Sequence, residues 1–199
     1  MRMSGFGSLS DTKARALGIC AVALLALIAI AASIKAAPGL AGCLGAALAL
    51  LMLTIAIVDA RWFIIPDQLS AAGFALGLIN AAVIAPQEMW QAAGIAFARG
   101  AVLALLFYAL RALYRRLRGR QGIGLGDVKL AAVAGAWLDW QTMSIAVEIA
   151  ALAALGVIGI RYYASGRPLD AALKFPFGLF FAPSIWVCWL LEATLLAPR

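Results

Sequence analysis

Gly124-Leu125-Gly126-Asp127-Val128-Lys129-Leu130 opens an apolar segment of membrane length with a carboxylate at its mouth. Asp59 closes another such segment. Carboxylates at a bilayer boundary cost several kcal/mol to desolvate, so each is a candidate functional group and together they suggest a pair. The rest of the 199 residues explains the setting. With 65% apolar residues, 13% charged residues and a mean hydropathy of +1.00, the composition excludes a soluble domain and describes a polytopic membrane protein.

A bilayer core of roughly 30 Å takes about 20 helical residues to cross. Seven apolar stretches of suitable length predict spans at about 16–34, 38–58, 69–85, 92–112, 126–140, 144–163 and 176–196. Together they form one integral-membrane domain over residues 1–199, with no soluble domain left over. The fold expected is an all-α polytopic bundle of about seven transmembrane helices. Barrel strands would alternate over about ten residues, whereas these stretches are continuously apolar. Gly, Ala and Ser recur within them, which allows close backbone approach where hydrophobicity cannot drive association. A cleavable signal is the competing reading of the first stretch, because Arg2, Lys13 and Arg15 precede it. No clear small-x-small site precedes Pro38 without leaving a membrane-length region, so the segment is expected to stay as an anchor.

Orientation follows from the basic residues, since short cytoplasmic loops carry the Lys and Arg excess. With the N-terminus inside, Arg2, Lys13, Arg15, Arg61, Arg111, Arg115, Arg116, Arg118, Arg120, Lys129, Arg161, Arg167 and Lys174 lie at or near the cytoplasmic face, 13 of the 16. Lys35 and Arg199 fall outside, Arg99 lies in the outer part of the fourth span, and Glu88 and Asp139 sit in outer loops. Asp59 then ends the second span going inward and Asp127 begins the fifth going outward, so both face the cytoplasm at similar depth. Asp67 follows in the short inner connection, where Pro66 breaks the helix; it is a candidate cap and a candidate third carboxylate.

The chain has no histidine, which removes a Ser-His-Asp triad, a Cys-His dyad and the His-Glu-x-x-His zinc motif. Cys20, Cys43 and Cys188 are far apart without Cys-x-x-Cys spacing; they read as small buried apolar residues, and no metal site is expected. Hydrolysis would therefore have to be run by carboxylates. Two close aspartates share a proton: the charged one activates water and the protonated one hydrogen-bonds the scissile carbonyl and helps the amine leave. No cofactor is needed. Gly124 and Gly126 would let a peptide lie against the backbone. The same motif also reads as a helix entry, with Asp127 a first-turn carboxylate favoured by the helix dipole. A small proton-coupled transporter, using the aspartates as a relay, is the alternative from another functional class.

Three neighbourhoods in order resemble the type IV prepilin peptidases, membrane aspartic proteases of the Gly-x-Gly-Asp class. They are Asp59-Ala60-Arg61 followed by Ile65-Pro66-Asp67-Gln68-Leu69, then Gly124 to Leu130, then Pro176-Phe177-Gly178. The resemblance extends over roughly residues 40–190. It implies that Asp59 and Asp127 are the catalytic pair and that Asp67 is a nearby family position without that role. It also implies cleavage after a glycine that ends the basic leader of prepilins or pseudopilins, at the cytoplasmic face of a bacterial inner membrane. The paired Cys-x-x-Cys insertion of many members is missing. The chain thus resembles the short, peptidase-only forms of tight-adherence or Flp-type pilus systems, and neither methyl transfer nor S-adenosylmethionine is expected. The Tyr-Asp and Pro-Ala-Leu motifs of presenilin-like relatives are also missing.

Other residues have plainer readings. Lys129 either lowers the pKa of Asp127, contacts substrate, or snorkels to the inner interface. Arg115, Arg116, Arg118 and Arg120 read as a positive-inside loop touching anionic lipid rather than as a nucleic-acid patch. Glu148 and Glu192 fall toward the outer half, either hydrogen-bonding at an interface or reaching the outer headgroups. Trp62, Trp90, Trp137, Trp140, Trp186 and Trp189 read as interfacial belts.

Overall fold

Backbone polar groups in a lipid-surrounded apolar run have no partner but one another, so such runs fold as helices. The computed structural model describes residues 6–119, 122–165 and 176–196, and among them every regular element is helical. The order is α1 (Phe6–Ala36), α2 (Leu40–Trp62), α3 (Asp67–Ile84), α4 (Met89–Arg118), α5 (Leu125–Trp137), α6 (Trp140–Ser165) and α7 (Gly178–Leu191). A 3-10 turn, Pro86–Glu88, leads into α4, and a π-helical turn, Glu192–Leu196, continues α7. The expected polytopic bundle is what forms.

Among the described residues, six of the seven helices are long and apolar enough to cross a bilayer. The exception is α5. Its 13 residues rise about 20 Å, short of a roughly 30 Å core. A seventh full span over 126–140 is therefore corrected to a short helix buried by protein. Leu130, Ala131, Val133 and Ala134 have no exposed surface, and α5 packs against α3, α4 and α7. Its apolarity is that of a core element, the alternative reading of a 10–14-residue apolar run.

The core is made by α2, α5 and α7, with Leu48, Met52, Ile55, Val133, Phe181 and Ile185 buried. Reciprocal glycines let α4 and α5 approach: a Cβ on Gly135 would lie 2.7 Å from the Arg99 carbonyl oxygen, and one on Gly100 would lie 2.8 Å from that of Ala132. On the periphery, α1 lies along α2, and α6 lies mainly along α7. Their outward Leu24, Leu27, Leu152 and Ile160 form apolar surface suited to acyl chains.

Exposed positions on α1 and at the start of α2 correct one expectation. Cys188 is buried, but Cys20 and Cys43 are exposed on the flanks of the bundle. The tryptophans divide similarly. Trp62, Trp90 and Trp140 are exposed near helix ends. Trp137 and Trp189 are core residues in edge-to-face contact, and the Trp137 indole N–H donates to the Gly73 carbonyl at 2.8 Å. The Trp186 N–H donates to the Ser33 hydroxyl at 3.0 Å. Arg2, Arg120, Arg167, Lys174 and Arg199 lie outside the described residues.

Where α5 meets α6, the expected outer groups form one polar cluster. Arg99 pairs with Asp139, whose backbone N–H donates to Glu192 at 2.7 Å, and the Thr142 hydroxyl donates to the same carboxylate. Glu192 thus fastens the end of α7 to the α5–α6 turn, as an interhelical hydrogen-bonding group. Glu148 is exposed on α6.

Candidate functional site

At one end of the bundle, the last turn of α2, the linker 63–66, and the first turns of α3, α5 and α7 converge. Asp59 lies one turn before the end of α2 and is only 5% exposed. Its Oδ2 accepts the Leu179 backbone N–H at 3.0 Å, and the Gly178 N–H serves the same carboxylate. The first N–H groups of a helix lack internal partners and carry the positive end of its dipole, so α7 presents a fitted seat for the Asp59 carboxylate. A side chain on residue 178 would remove that seat: its Cβ would lie 2.8 Å from Asp59 Oδ2.

Beyond Asp59 the chain turns sharply. Phe63 adopts φ 56°, ψ 34°, a left-handed conformation uncommon for a non-glycine residue, and its N–H donates to the Asp59 carbonyl at 2.9 Å. This ends α2 and carries the chain toward α3, with Ile65 turned inward and 6% exposed.

Asp127 is the third residue of α5, and its Oδ2 accepts the Gly124 N–H at 3.0 Å. The helix-entry reading of the Gly-x-Gly-Asp motif therefore describes real geometry, and the same carboxylate lies close enough to Asp59 to feel its charge. Burial is the main influence on it and pushes its pKa up to about 6; the Gly124 N–H opposes the rise, the Asp59 charge adds to it, and the Arg111 charge opposes it. Arg111, on α4, also donates to the Ile123 carbonyl at 2.7 Å, tying the motif's approach to the neighbouring helix.

One apolar side chain joins the two neighbourhoods. A Cβ on Gly126 would lie 2.8 Å from Ile65 Cδ1, and one on Gly178 would lie 2.9 Å from the same atom. Ile65 is therefore held between the N-termini of α5 and α7, with Asp59 beside Gly178 and Asp127 next in sequence to Gly126. Gly126 and Gly178 are required by these contacts rather than by unusual dihedrals.

The remaining candidates take supporting places. Asp67 opens α3, but the cap position is Pro66 and no side chain caps the helix. Its carboxylate instead pairs with Lys129, which fastens α5 to α3. That partnership replaces the expected snorkelling of Lys129, and Arg111 is the cation acting on Asp127. Pro176 precedes α7, Phe177 stands at its cap position with its ring 5.5 Å from that of Phe181, and Gly178 begins it. Among the described residues no group of three or more His, Cys, Asp or Glu is placed to hold a metal ion.

Sequence reasoning missed three participants. Ile65 was visible only as part of a motif, Arg111 only as one of many inner-face cations, and Leu179 not at all. Leu179 contributes its backbone N–H, for which side-chain identity gives no signal.

The model of the type IV leader peptidase family matches residues 46–160, a stretch that contains Asp59, Asp67, Gly124, Gly126 and Asp127. Over 171 residues the chain is 29% identical to a protein of Aeromonas hydrophila named prepilin leader peptidase/N-methyltransferase, covering 84% of this chain and 56% of that one. It is 32% identical over 131 residues to the leader peptidase HopD of Salmonella typhimurium, covering 65% of this chain and 81% of HopD. The Escherichia coli prepilin leader peptidase/N-methyltransferase is 32% identical over 105 residues, 53% of this chain and 45% of that one. The chain thus spans about half the length of the curated relatives that carry both activities in their name. No solved structure matches it.

Proposed function

The chain belongs to the type IV leader peptidase family, and from that membership we propose that it is a membrane aspartic endopeptidase that removes the basic leader of a prepilin or pseudopilin. The bond cut follows the glycine that ends the leader. The observation that supports this reading is that Asp59 and Asp127 flank Gly178 and Gly126, the two glycines that Ile65 packs against, with the Asp59 carboxylate held by the Leu179 N–H at the start of α7 and that of Asp127 by the Gly124 N–H at the cap of α5.

In this mechanism the two aspartates hold one proton between them and titrate as a pair. The ionised carboxylate takes a proton from water as the oxygen attacks the scissile carbonyl carbon. The protonated one donates to the carbonyl oxygen, giving a tetrahedral diol. Proton transfer to the amide nitrogen then lets the C–N bond break, and the pair returns to its singly protonated state. No metal or organic cofactor enters. Gly124 to Gly126 provide backbone against which an extended peptide can lie. Lys129 with Asp67, and Pro176 with Phe177, position α3, α5 and α7 around it.

The basic C-terminus of α4, with Arg115, Arg116 and Arg118 in its last turn, supports a cytoplasmic placement for this end of the bundle in a bacterial inner membrane. Peptidase chemistry accounts for the residues at the site, and methyl transfer is not part of this reading. The experiment is co-expression with a prepilin in cells lacking their own leader peptidase. Mass analysis should find the pilin starting at the residue after the leader glycine; a pilin that keeps its leader contradicts the assignment.

A further inference from the structure

We propose that Ile65 is the residue that restricts the position before the scissile bond to glycine. The inference rests on the peptidase reading above and adds a specificity determinant to it. For both carboxylates to act on one carbonyl, that carbonyl must lie between Asp59 and Asp127. The α-carbon preceding the scissile bond is then about 1.5 Å from the reacting carbon. Any side chain on it enters the space beside the two carboxylates.

Ile65 forms a wall of that space, between the glycine beside Asp59 and the glycine before Asp127. Ile65 is buried, and its Cδ1 approaches both flanking glycines so closely that a methyl group on either would overlap it, at 2.8 Å for Gly126 and 2.9 Å for Gly178. Atoms real Cβ groups meet are essentially never nearer than 3.0 Å. Ile65 is also anchored from behind. The left-handed Phe63 fixes the turn out of α2, and Pro66, with φ −63°, starts α3. The main chain is thus set on both sides of Ile65, and its Cβ, 3.0 Å from where a Cβ on Gly126 would lie, keeps the side chain against the start of α5. A substrate glycine adds no Cβ; an alanine adds the methyl that the two wall glycines avoid.

The determining atom is Cδ1, so Ile65→Val removes it and keeps the branched Cβ, and Ile65→Ala removes more. Two prepilins differing only in Gly or Ala before the cleavage site are presented to the same membranes, and the ratio of their cleavage rates is read. The ratio is independent of how much variant folds. One methyl's worth of space in an apolar site changes selectivity by about 10- to 200-fold. Ile65→Val should raise the Ala-to-Gly ratio by about tenfold, and Ile65→Ala should raise it further. An unchanged ratio in both variants overturns the proposal. So does loss of both cleavages in Ile65→Val, which would make Ile65 a residue of the fold alone. Asp59→Asn and Asp127→Asn in the same assay separate the two claims: cleavage by either removes the dyad reading, whereas inert Asn variants beside an unchanged Ile65 ratio remove only the role of Ile65.

Discussion

Asp127 combines two roles at a single residue. It closes the first turn of α5 through the Gly124 N–H, and it is one of two carboxylates near enough to act on each other's charge. With its pKa raised to about 6, it holds a proton below that pH and releases it above. A pair that must carry one proton therefore loses activity as pH rises through its upper pKa. The rate of leader cleavage in detergent should decline on the alkaline side from about pH 6 upward, and a profile flat from about pH 5 to about pH 9 would contradict a carboxylate pair. Arg111 lowers the Asp127 pKa, so Arg111→Met should move that decline to higher pH while reducing kcat more than it changes KM. At this scale the sequence was informative where chemistry is local. An aspartate at a bilayer boundary is anomalous in any fold. The contact of Ile65 with Gly126 and Gly178, and the Leu179 N–H to Asp59, join residues far apart in the chain, and nothing in a local window signals them.

The short helix α5 explains why the site is precise at the level of elements. It is walled by α3, α4 and α7, and its two ends are fastened: Lys129 to Asp67 near the start, and the Trp137 N–H to Gly73 near the finish. The packing is sensitive to volume. Gly135→Leu would drive α4 from α5 at a 2.7 Å approach and should destabilise the protein by about 1–3 kcal/mol or more, seen as a lower unfolding temperature in detergent with cleavage reduced in parallel. The Lys129–Asp67 pair is different. Asp67 is 78% exposed and Lys129 38%, so Asp67→Asn should change stability by less than about 1 kcal/mol and leave cleavage largely intact. Six helices were legible from length and apolarity. The seventh was misjudged in kind because a run of apolar residues has the same composition whether lipid or protein surrounds it. The burial of Trp137 and Trp189, expected at interfaces, arises from the same ambiguity.

For the whole molecule, the polar clusters lie toward opposite ends of the core. Arg99, Asp139, Thr142 and Glu192 close one end, while the aspartates, with the basic terminus of α4 nearby, mark the other. The peripheral α1 and α6 leave apolar surface outward, as a bundle in lipid requires. The charge bias predicts which end faces the cytoplasm. Trp62 is 60% exposed at the end of α2. With Cys20, Cys43 and Cys188 replaced by Ala, Trp62→Cys should react with a membrane-impermeant maleimide in inside-out vesicles and be protected in right-side-out ones; the opposite pattern would reverse the orientation.

The central claim is that Asp59 and Asp127 together activate water, and isosteric replacement tests it most directly. Asp59→Asn and Asp127→Asn keep side-chain shape and remove the charge that the pair needs. Each variant should insert in the membrane at wild-type levels and leave a co-expressed prepilin uncut, while Asp67→Asn in the same assay still removes the leader. Full leader cleavage by either Asn variant of the pair would contradict the account.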